Sequence, residues 1–265
     1  MKATLTLLAV AAASSGFASG AAYSITQSLL ETKGTTTNIT SSGNKENTTT
    51  FPTISGTSAV VGRFLVSDGT NTYGLEVSVS NPTGSLQQGQ DSLMVARTTN
   101  SQGLTDTGTL SIYVSPGDAS VASGEWSLDV RFSFFNVEGT TFTTAFSPTL
   151  LLTSLDIDAN QRYYTDNADF SANNLYAGST LSSASAITGY TGFTAGGSAN
   201  FNDPASAVSS LGAAGVSEFD VRLQHNNVAL FMFEFRDPSQ IVPEPSAAVL
   251  LGAFATIGLL RRRTR

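Results

Sequence analysis

Apolar and polar residues alternate most clearly at 126–134, where the sequence reads WSLDVRFSF. Every second residue of this stretch is apolar, and the residues between are serine, aspartate or arginine. Successive side chains of a β-strand point to opposite faces, so the pattern predicts a strand with one face on a core and one in water. A sheet with one face on the core and one face in water is typically antiparallel.

Short apolar runs recur along the chain between segments rich in Gly, Ser, Thr and Asn, a pattern typical of many strands joined by turns. The runs predict further strands at 59–66, 73–80, 93–98, 109–114 and 149–157. The loop 67–71 is expected to join the first two as a hairpin, and the segment 81–84 to end the second as a turn. The run at 149–157 is the more continuously apolar one, so it is expected to be central in its sheet.

Three other segments complete the pattern. The segment 218–236 predicts a hairpin whose turn contains His225, and the polar segment 31–50 predicts an irregular arm or exposed loop. The Ala-rich segment 204–216 favours one short helix. The whole pattern predicts an all-β fold, an antiparallel β-sandwich that is either jelly-roll-like or immunoglobulin-like.

Both ends of the chain have the composition of targeting segments. Residues 1–22 are predicted to be a signal peptide, because Lys2 is followed by an apolar run and then by small residues that fit a cleavage site. A cut near Gly20 or after Ala22 fits this pattern. The exported body is then 23–241, which is long enough for a single domain with a sizeable core.

The last residues form three chemically distinct parts. A proline-rich motif comes first, then an uncharged apolar run at 247–260, then a cluster of arginines. The motif is Val242, Pro243, Glu244 and Pro245, and the arginines are Arg261, Arg262, Arg263 and Arg265. A helix satisfies its own backbone groups in lipid, so the apolar run predicts a single transmembrane helix whose arginines stay on the cytoplasmic side.

This three-part tail, at 242–265, resembles the PEP-CTERM sorting signal. The resemblance implies that an exosortase, a membrane-embedded enzyme resembling a cysteine transpeptidase, recognises the tail and removes it during export. It also implies a Gram-negative bacterial source that makes exopolysaccharide. The chain would pass through the Sec translocon, sit in the inner membrane as a single-pass protein, and then reach the cell surface or the extracellular space.

An ordinary tail anchor is the alternative interpretation of the same residues. A helix over 247–260 would span about 21 Å at about 1.5 Å per residue, whereas the hydrocarbon core is about 30 Å thick. A segment this short favours a transient anchor that is later cut over a permanent one.

The charge and composition of the chain exclude some classes of partner and of site chemistry. Of 13 basic and 20 acidic residues, five basic and one acidic lie in the two targeting segments, which leaves the body a net charge of −11. Such a body repels nucleic acid, so no nucleic-acid partner is expected. The chain has no cysteine, which excludes thiol catalysis, zinc–thiolate sites and iron–sulfur clusters.

Asp156, Asp158 and Asn160 are the candidate metal ligands, because oxygen-bearing side chains at the first, third and fifth positions open a calcium loop. Gln161 stands where such a loop needs glycine, and Asn167 where it needs glutamate, so a surface turn explains the same residues. Calcium is the one cofactor that the sequence suggests.

Aromatic residues and the single histidine supply the other candidates. Trp126, Tyr163, Tyr164 and Tyr190 are candidates for stacking on a sugar, although Trp126 lies on the apolar side of its strand and is expected in the core. The two adjacent tyrosines point to opposite faces of a strand, so at most one of them belongs to a platform. His225 is interpreted as an exposed turn residue, since no Gly-x-Ser-x-Gly nucleophile motif accompanies it.

The sequence therefore favours a non-enzymatic structural protein of the cell surface or extracellular matrix. The absence of a catalytic motif and the Ser/Thr/Gly-rich body agree with that function. The alternative is a carbohydrate-binding module with the same sorting signal, and exopolysaccharide is the candidate partner in either case. A secreted hydrolase ranks below both.

Overall fold

The computed structural model describes residues 21–31, 49–50, 58–84, 86, 92–97, 109–115, 125–155, 157–158, 160–176, 178–197, 204–227 and 229–237. Within these ranges the chain is built of β-strands that all pair antiparallel. The strands lie in two sheets, numbered below along the chain. A short 3₁₀ helix at Pro204–Ser206 is the described helical element.

The first sheet has eight strands: β1 (Ala21–Ala22), β3 (Thr49–Thr50), β6 (Ser92–Arg97), β7 (Thr109–Ser115), β10 (Leu151–Leu155), β12 (Phe170–Leu175), β15 (Val208–Gly212) and β17 (Ala229–Asp237). Its order is β12-β15-β10-β17-β7-β6-β3, and β1 pairs with Arg236 and Asp237 of β17, past the point where β7 begins.

The second sheet has nine strands: β2 (Ser24–Glu31), β4 (Ala59–Ser67), β5 (Thr72–Gly84), β8 (Trp126–Glu138), β9 (Thr141–Ala145), β11 (Arg162–Asp166), β13 (Leu181–Ser183), β14 (Tyr190–Ala195) and β16 (Glu218–His225). Its order is β13-β14-β11-β16-β8-β5-β4-β2, and β9 pairs with β8. Strand β8 lies at its centre, with Val130 opposite Val221 on one side and Val79 on the other.

The core lies between the two sheets and is rich in aromatic rings. Phe132 of β8 lies 5.1 Å from Phe233 and 5.3 Å from Phe235 of β17, measured between ring centroids, and both pairs meet edge to face. These contacts join one sheet to the other, so the fold is an antiparallel β-sandwich. The all-β prediction is confirmed, whereas the finer choice between jelly-roll-like and immunoglobulin-like topology stays a prediction.

The alternating stretch at 126–134 is confirmed as a strand. Trp126, Leu128, Val130, Phe132 and Phe134 are all at most 1% exposed. The predicted hairpin is also present, because β4 and β5 pair with Ser67 opposite Thr72. Strand β10 lies between β15 and β17, so the run that begins near residue 149 is interior to its sheet as expected.

The predicted hairpin at 218–236 is wrong. Strand β16 pairs with β8 and β11 in the nine-stranded sheet, whereas β17 pairs with β7 and β10 in the eight-stranded sheet. The short connection between them therefore crosses the core from one sheet to the other. Each strand has an apolar inner face, and both faces contribute to the core between the sheets instead of lying side by side in one sheet.

Two other local predictions are corrected. The Ala-rich segment 204–216 forms the 3₁₀ turn and then strand β15 instead of a longer helix, because Val208 and its neighbours pair with β10 and β12. The segment 81–84 does not end its strand as a turn. Strand β5 continues to Gly84 through an irregularity between Ser80 and Thr83, and Asn81 takes a positive φ of 50°.

The predicted targeting segments lie outside the described residues: the signal peptide 1–22 except for Ala21 and Ala22, and the sorting signal 242–265. Most of the predicted arm at 31–50 also lies outside. Over the part of the chain that the structure describes, no helix is long and apolar enough to cross a bilayer.

Candidate functional site

An open cavity of about 560 Å³ lies on the outer face of the nine-stranded sheet, between edge strand β2 and the tip of the β8–β9 hairpin. It is lined by Leu29, Leu30, Arg63, Thr140, Thr141 and Phe142. Leu30 is 42% exposed and is one of three exposed large apolar residues in the described part of the chain. The cavity thus combines apolar, aromatic, hydroxyl and cationic groups at one edge of the sheet.

The aromatic side of the cavity is the ring of Phe142, which packs against a glycine of strand β5. Strand β8 continues past Ser133, where its pairing with β16 ends, and β9 then folds back along it through a turn in which Gly139 has a φ of 63°. This brings Phe142 across the sheet onto Gly74 of β5, where a Cβ would lie 2.6 Å from the ring. Phe135 stacks on Phe142 at 5.5 Å between ring centroids, so the ring is fixed from two sides.

The cationic group of the cavity, the guanidinium of Arg63, is held in its orientation by two contacts. The Nε of Arg63 donates a hydrogen bond of 2.7 Å to Oε2 of Glu76 on the neighbouring strand. The guanidinium carbon lies 5.9 Å from the centroid of Phe142, within the range of a cation–π contact. Because half of the Arg63 side chain is exposed, its remaining N–H groups are available to donate to a bound ligand.

The rest of this outer face carries ion pairs that run across the strands. Arg131 donates to Asp220 at 2.7 Å and to Glu218 at 2.9 Å, and these acidic partners raise the pKa of its guanidinium, Asp220 most strongly. Arg222 pairs with Asp129 at 2.6 Å. Exposed pairs of this kind contribute little to stability, so their main consequence is a charged and hydrated surface.

The predicted sugar-stacking residues do not form a platform. Trp126, Tyr163 and Tyr164 are at most 1% exposed, so no ligand can stack on them, and the expected core position of Trp126 is confirmed. The indole N–H of Trp126 donates to the carbonyl oxygen of Asn227 at 2.8 Å. Tyr190 remains half-buried, with the Arg222 guanidinium 5.2 Å from its ring centroid.

The prediction that His225 is an exposed turn residue is wrong. Strand β16 extends to His225, which pairs with Trp126 and is only 9% exposed. Its Nδ1 is buried without a hydrogen-bond partner, and burial lowers the pKa of the imidazole below its usual value. The ring is therefore neutral near pH 7 and serves as a packing partner of Trp126, at 6.5 Å between ring centroids.

The predicted calcium loop is only partly within the described residues, because Asp156 lies outside them. Asn160 is exposed at a positive φ of 64°, a conformation that asparagine tolerates in turns. Gln161, which the pattern of acidic residues did not single out, is the residue that braces this turn. Its Oε1 accepts the backbone N–H of Asp158, and its Nε2 donates to the carbonyl oxygen of Leu230, both at 3.2 Å.

No group of three or more His, Asp or Glu side chains that could hold a metal ion is present among the described residues. The calcium site stays a prediction, since one of its three proposed ligands is not described. The residues of the sorting motif and the arginine cluster also lie outside the described ranges.

The signal that could have revealed the cavity lies in the pair Phe134–Phe135. Adjacent residues of a strand face opposite sides, so one of two successive phenylalanines must lie on the outer face. The sequence around Phe142 gives no sign that its ring covers Gly74, because the two residues lie on strands β9 and β5, which are separated by β8.

Comparisons with known proteins give no family for this chain. No family model matches it, and no curated protein matches it. Among solved structures it is similar to the N-terminal domain of the Streptococcus gordonii adhesin Sgo0707, with a TM-score of 0.46 and 13% identity over 72% of this chain and 52% of that one. This chain thus spans about half of that domain.

Two further similar structures are of the adhesin domain of PrgB from Enterococcus faecalis. The first has a TM-score of 0.30 and 10% identity, covering 69% of this chain and 58% of that one. The second, bound to DNA, has a TM-score of 0.29 and 11% identity, covering 81% of this chain and 84% of that one. Similarity at this level does not define a shared function.

Proposed function

We propose that this protein is an exported structural protein of the cell surface or extracellular matrix. A C-terminal PEP-CTERM signal holds it in the inner membrane for a time, and an exosortase then processes it. The Sec translocon carries the chain across the membrane, and exopolysaccharide is its partner outside. In this proposal the β-sandwich is the cargo, and it has no enzymatic activity.

The observation that supports this proposal most directly is the pairing of the two ends of the sandwich. Ala21 lies opposite Asp237 and Ala22 opposite Arg236, while the N–H of Tyr23 donates to the carbonyl oxygen of Phe235 at 2.8 Å. The predicted leader thus joins the sandwich beside the place where the last strand ends. Residues 238–241 alone separate Asp237 from the sorting motif, so removal of the tail leaves every described strand intact.

The sorting motif is tested by replacing Pro243, Glu244 and Pro245 together with alanine in a host that has an exosortase. We expect the altered chain to stay in the inner membrane at full mass, because the enzyme no longer recognises its signal. The natural chain should appear outside the membrane in shortened form. Immunoblots of membrane and surface fractions measure the difference.

Pro238→Ala is the matched control, since it alters a proline of the same linker outside the motif. It should be processed like the natural chain. Equal processing of the triple variant, or processing that persists in a strain without the exosortase, would contradict the proposal.

Carbohydrate binding is a second candidate function, and the cavity at Phe142 favours it. A sugar ring presents C–H groups on its faces and hydroxyls around its rim, which suits an aromatic ring beside a guanidinium and two threonine hydroxyls. The buried aromatics proposed from the sequence cannot serve this function, so any sugar site on the described surface needs residues such as these.

Phe142→Ala is expected to weaken glycan binding by about tenfold, the effect of losing one aromatic contact worth about 1.4 kcal/mol. Binding of the purified protein on a glycan array, followed by calorimetry with the best ligand, measures this. Tyr190→Ala alters another partly exposed aromatic on the same face and should bind as before. If no glycan binds, or if both variants lose binding equally, the cavity is not a sugar site.

The expectation that nucleic acid is not a partner stays a prediction, which rests on the net charge of −11 in the body.

A further inference from the structure

The described chain begins in a two-residue strand, β1, that pairs with the end of β17. Ala21 lies opposite Asp237, and this is the last pair between the two strands. The contact continues after β1, because the N–H of Tyr23 donates to the carbonyl oxygen of Phe235 at 2.8 Å. A cut in the chain just before Ala21 keeps all of these contacts, whereas a cut after Ala22 removes both residues of β1.

Tyr23, the residue between β1 and β2, is deeply buried. It is 2% exposed and belongs to the core, where its ring meets that of Tyr73 edge to face at 6.3 Å between centroids. Burial raises the pKa of the Tyr23 phenol above its usual value, and the negative charge of Asp237 raises it further. The carboxylate of Asp237 therefore lies close to the first residues of the sandwich.

We propose that the leader is cut between Gly20 and Ala21, and that the ammonium group formed at Ala21 pairs with the carboxylate of Asp237. The inference rests on the proposed export of the chain, during which a leader peptidase hydrolyses this amide bond with one water molecule. The C–N bond breaks, and the hydroxyl of the water completes the carboxyl group of Gly20. The remaining proton of the water and the proton of that carboxyl group both end on the nitrogen of Ala21.

The charges of the two possible N-termini favour this cut. The small residues of the leader fit a cut after Gly20 and a cut after Ala22 alike. An ammonium group at Ala21 is placed at the end of the paired strands, opposite Asp237, where the two opposite charges attract. An ammonium group at Tyr23 would place its charge beside a side chain that is 2% exposed, and taking a charge out of water costs free energy.

The other charged groups around β1 already have partners of their own. Arg236 pairs with Glu234 at 2.8 Å, both on β17. Asp68, in the loop between β4 and β5, accepts a hydrogen bond from the hydroxyl of Tyr73 at 3.3 Å. Among the described carboxylates, Asp237 is the one that strand pairing places directly opposite the new N-terminus.

Two substitutions in the native host test the position of the cut. A leader peptidase requires small residues at the first and third positions before the bond that it cuts. Ala18→Asp therefore disrupts only the cut after Gly20, and the matched control Ala22→Leu disrupts only the cut after Ala22. We expect the Ala18→Asp chain to keep its leader. The Ala22→Leu chain should be cut like the natural one, with Ala21 first in N-terminal sequencing.

The other outcomes separate this inference from the proposed function. A natural surface protein that begins at Tyr23, together with the opposite effects of the two substitutions, would overturn the inference and leave the proposed export intact. A natural chain that still begins at Met1 would contradict both the cut and the export.

Asp237→Asn tests the ion pair in the mature protein. We expect it to raise the equilibrium constant of unfolding in urea by about two- to fivefold at about pH 6.5 and low salt, the effect of losing one exposed ion pair. The difference should vanish at about pH 9.5, because an α-amino group has then lost its proton whereas arginine remains charged.

Asp220→Asn is the matched control, because the partner of Asp220 is Arg131, and its effect should be the same at both pH values. If the effect of Asp237→Asn persists at the higher pH, the cation that pairs with Asp237 is not the N-terminus. If Asp237→Asn has no effect at either pH, no ion pair forms. Either result overturns the pairing.

Discussion

Phe132→Ala is expected to lower the free energy of unfolding by about 3–5 kcal/mol, the range for removing a buried phenylalanine ring. Phe132 is fully buried, and its ring makes edge-to-face contacts with Phe233 and Phe235 of the opposite sheet. The substitution removes its buried apolar surface and leaves a cavity where the two sheets meet. Urea unfolding followed by circular dichroism measures the change.

Phe135→Ala is the matched control, because it removes the same side chain from the same strand on the outer face. Its ring stacks on Phe142 and is only partly buried, so we expect a loss of about 1–2 kcal/mol. Equal losses from the two variants would contradict the assignment of inner and outer faces along β8.

Gly84→Ala is expected to destabilise the protein by about 2–4 kcal/mol for two reasons that add. Gly84 has a φ of 70°, which an alanine adopts only with strain, and a Cβ there would overlap the carbonyl oxygen of Glu125. Since Gly84 lies opposite Trp126 at the start of β8, relieving the overlap requires movement of the central strand. Thermal and urea unfolding measure the loss.

Gly69→Ala separates the two causes. Gly69 also has a positive φ, of 92°, but a Cβ there would meet nothing within 4 Å. We therefore expect a loss of only about 1–2 kcal/mol, the cost of the backbone conformation. If both variants lose the same amount, the close approach of β5 and β8 at Gly84 does not constrain the fold.

The elements that could be predicted from the sequence are those whose signal is local. The alternation at 126–134 identified β8 and its buried face, because a strand that is buried on one side has an apolar residue at every second position. The loop at 67–71 identified the β4–β5 hairpin through its turn residues, where Asp68 Oδ1 accepts the N–H groups of Thr70 and Asn71.

The elements that could not be predicted depend on partners far along the chain. Strands β16 and β17 have the pattern of a hairpin, yet β16 pairs with β8, about ninety residues away, and β17 pairs with β7 in the other sheet. A short connection can join two neighbouring strands of one sheet or two strands in opposite sheets. An apolar face on each strand is compatible with both arrangements. His225 was misplaced for the same reason, since its burial follows from its pairing with Trp126.

For the candidate site, too, the sequence indicated the general properties but not the contacts between distant residues. Composition and charge indicated an acidic, cysteine-free body, but the cavity depends on Gly74, Arg63 and Phe142, which come from three different strands. Strand β15 illustrates how pairing overrides local propensity, because an Ala-rich segment became a strand between β10 and β12.

The central claim is that a β-sandwich ending at Asp237 is released from a C-terminal membrane segment that is removed during export. Intact mass spectrometry of the protein from the surface of its native host tests this most directly. The account predicts a chain that begins between Ala21 and Tyr23 and lacks the apolar segment 247–260 and the arginines after it. A surface protein whose mass still includes every residue through Arg265 would contradict it.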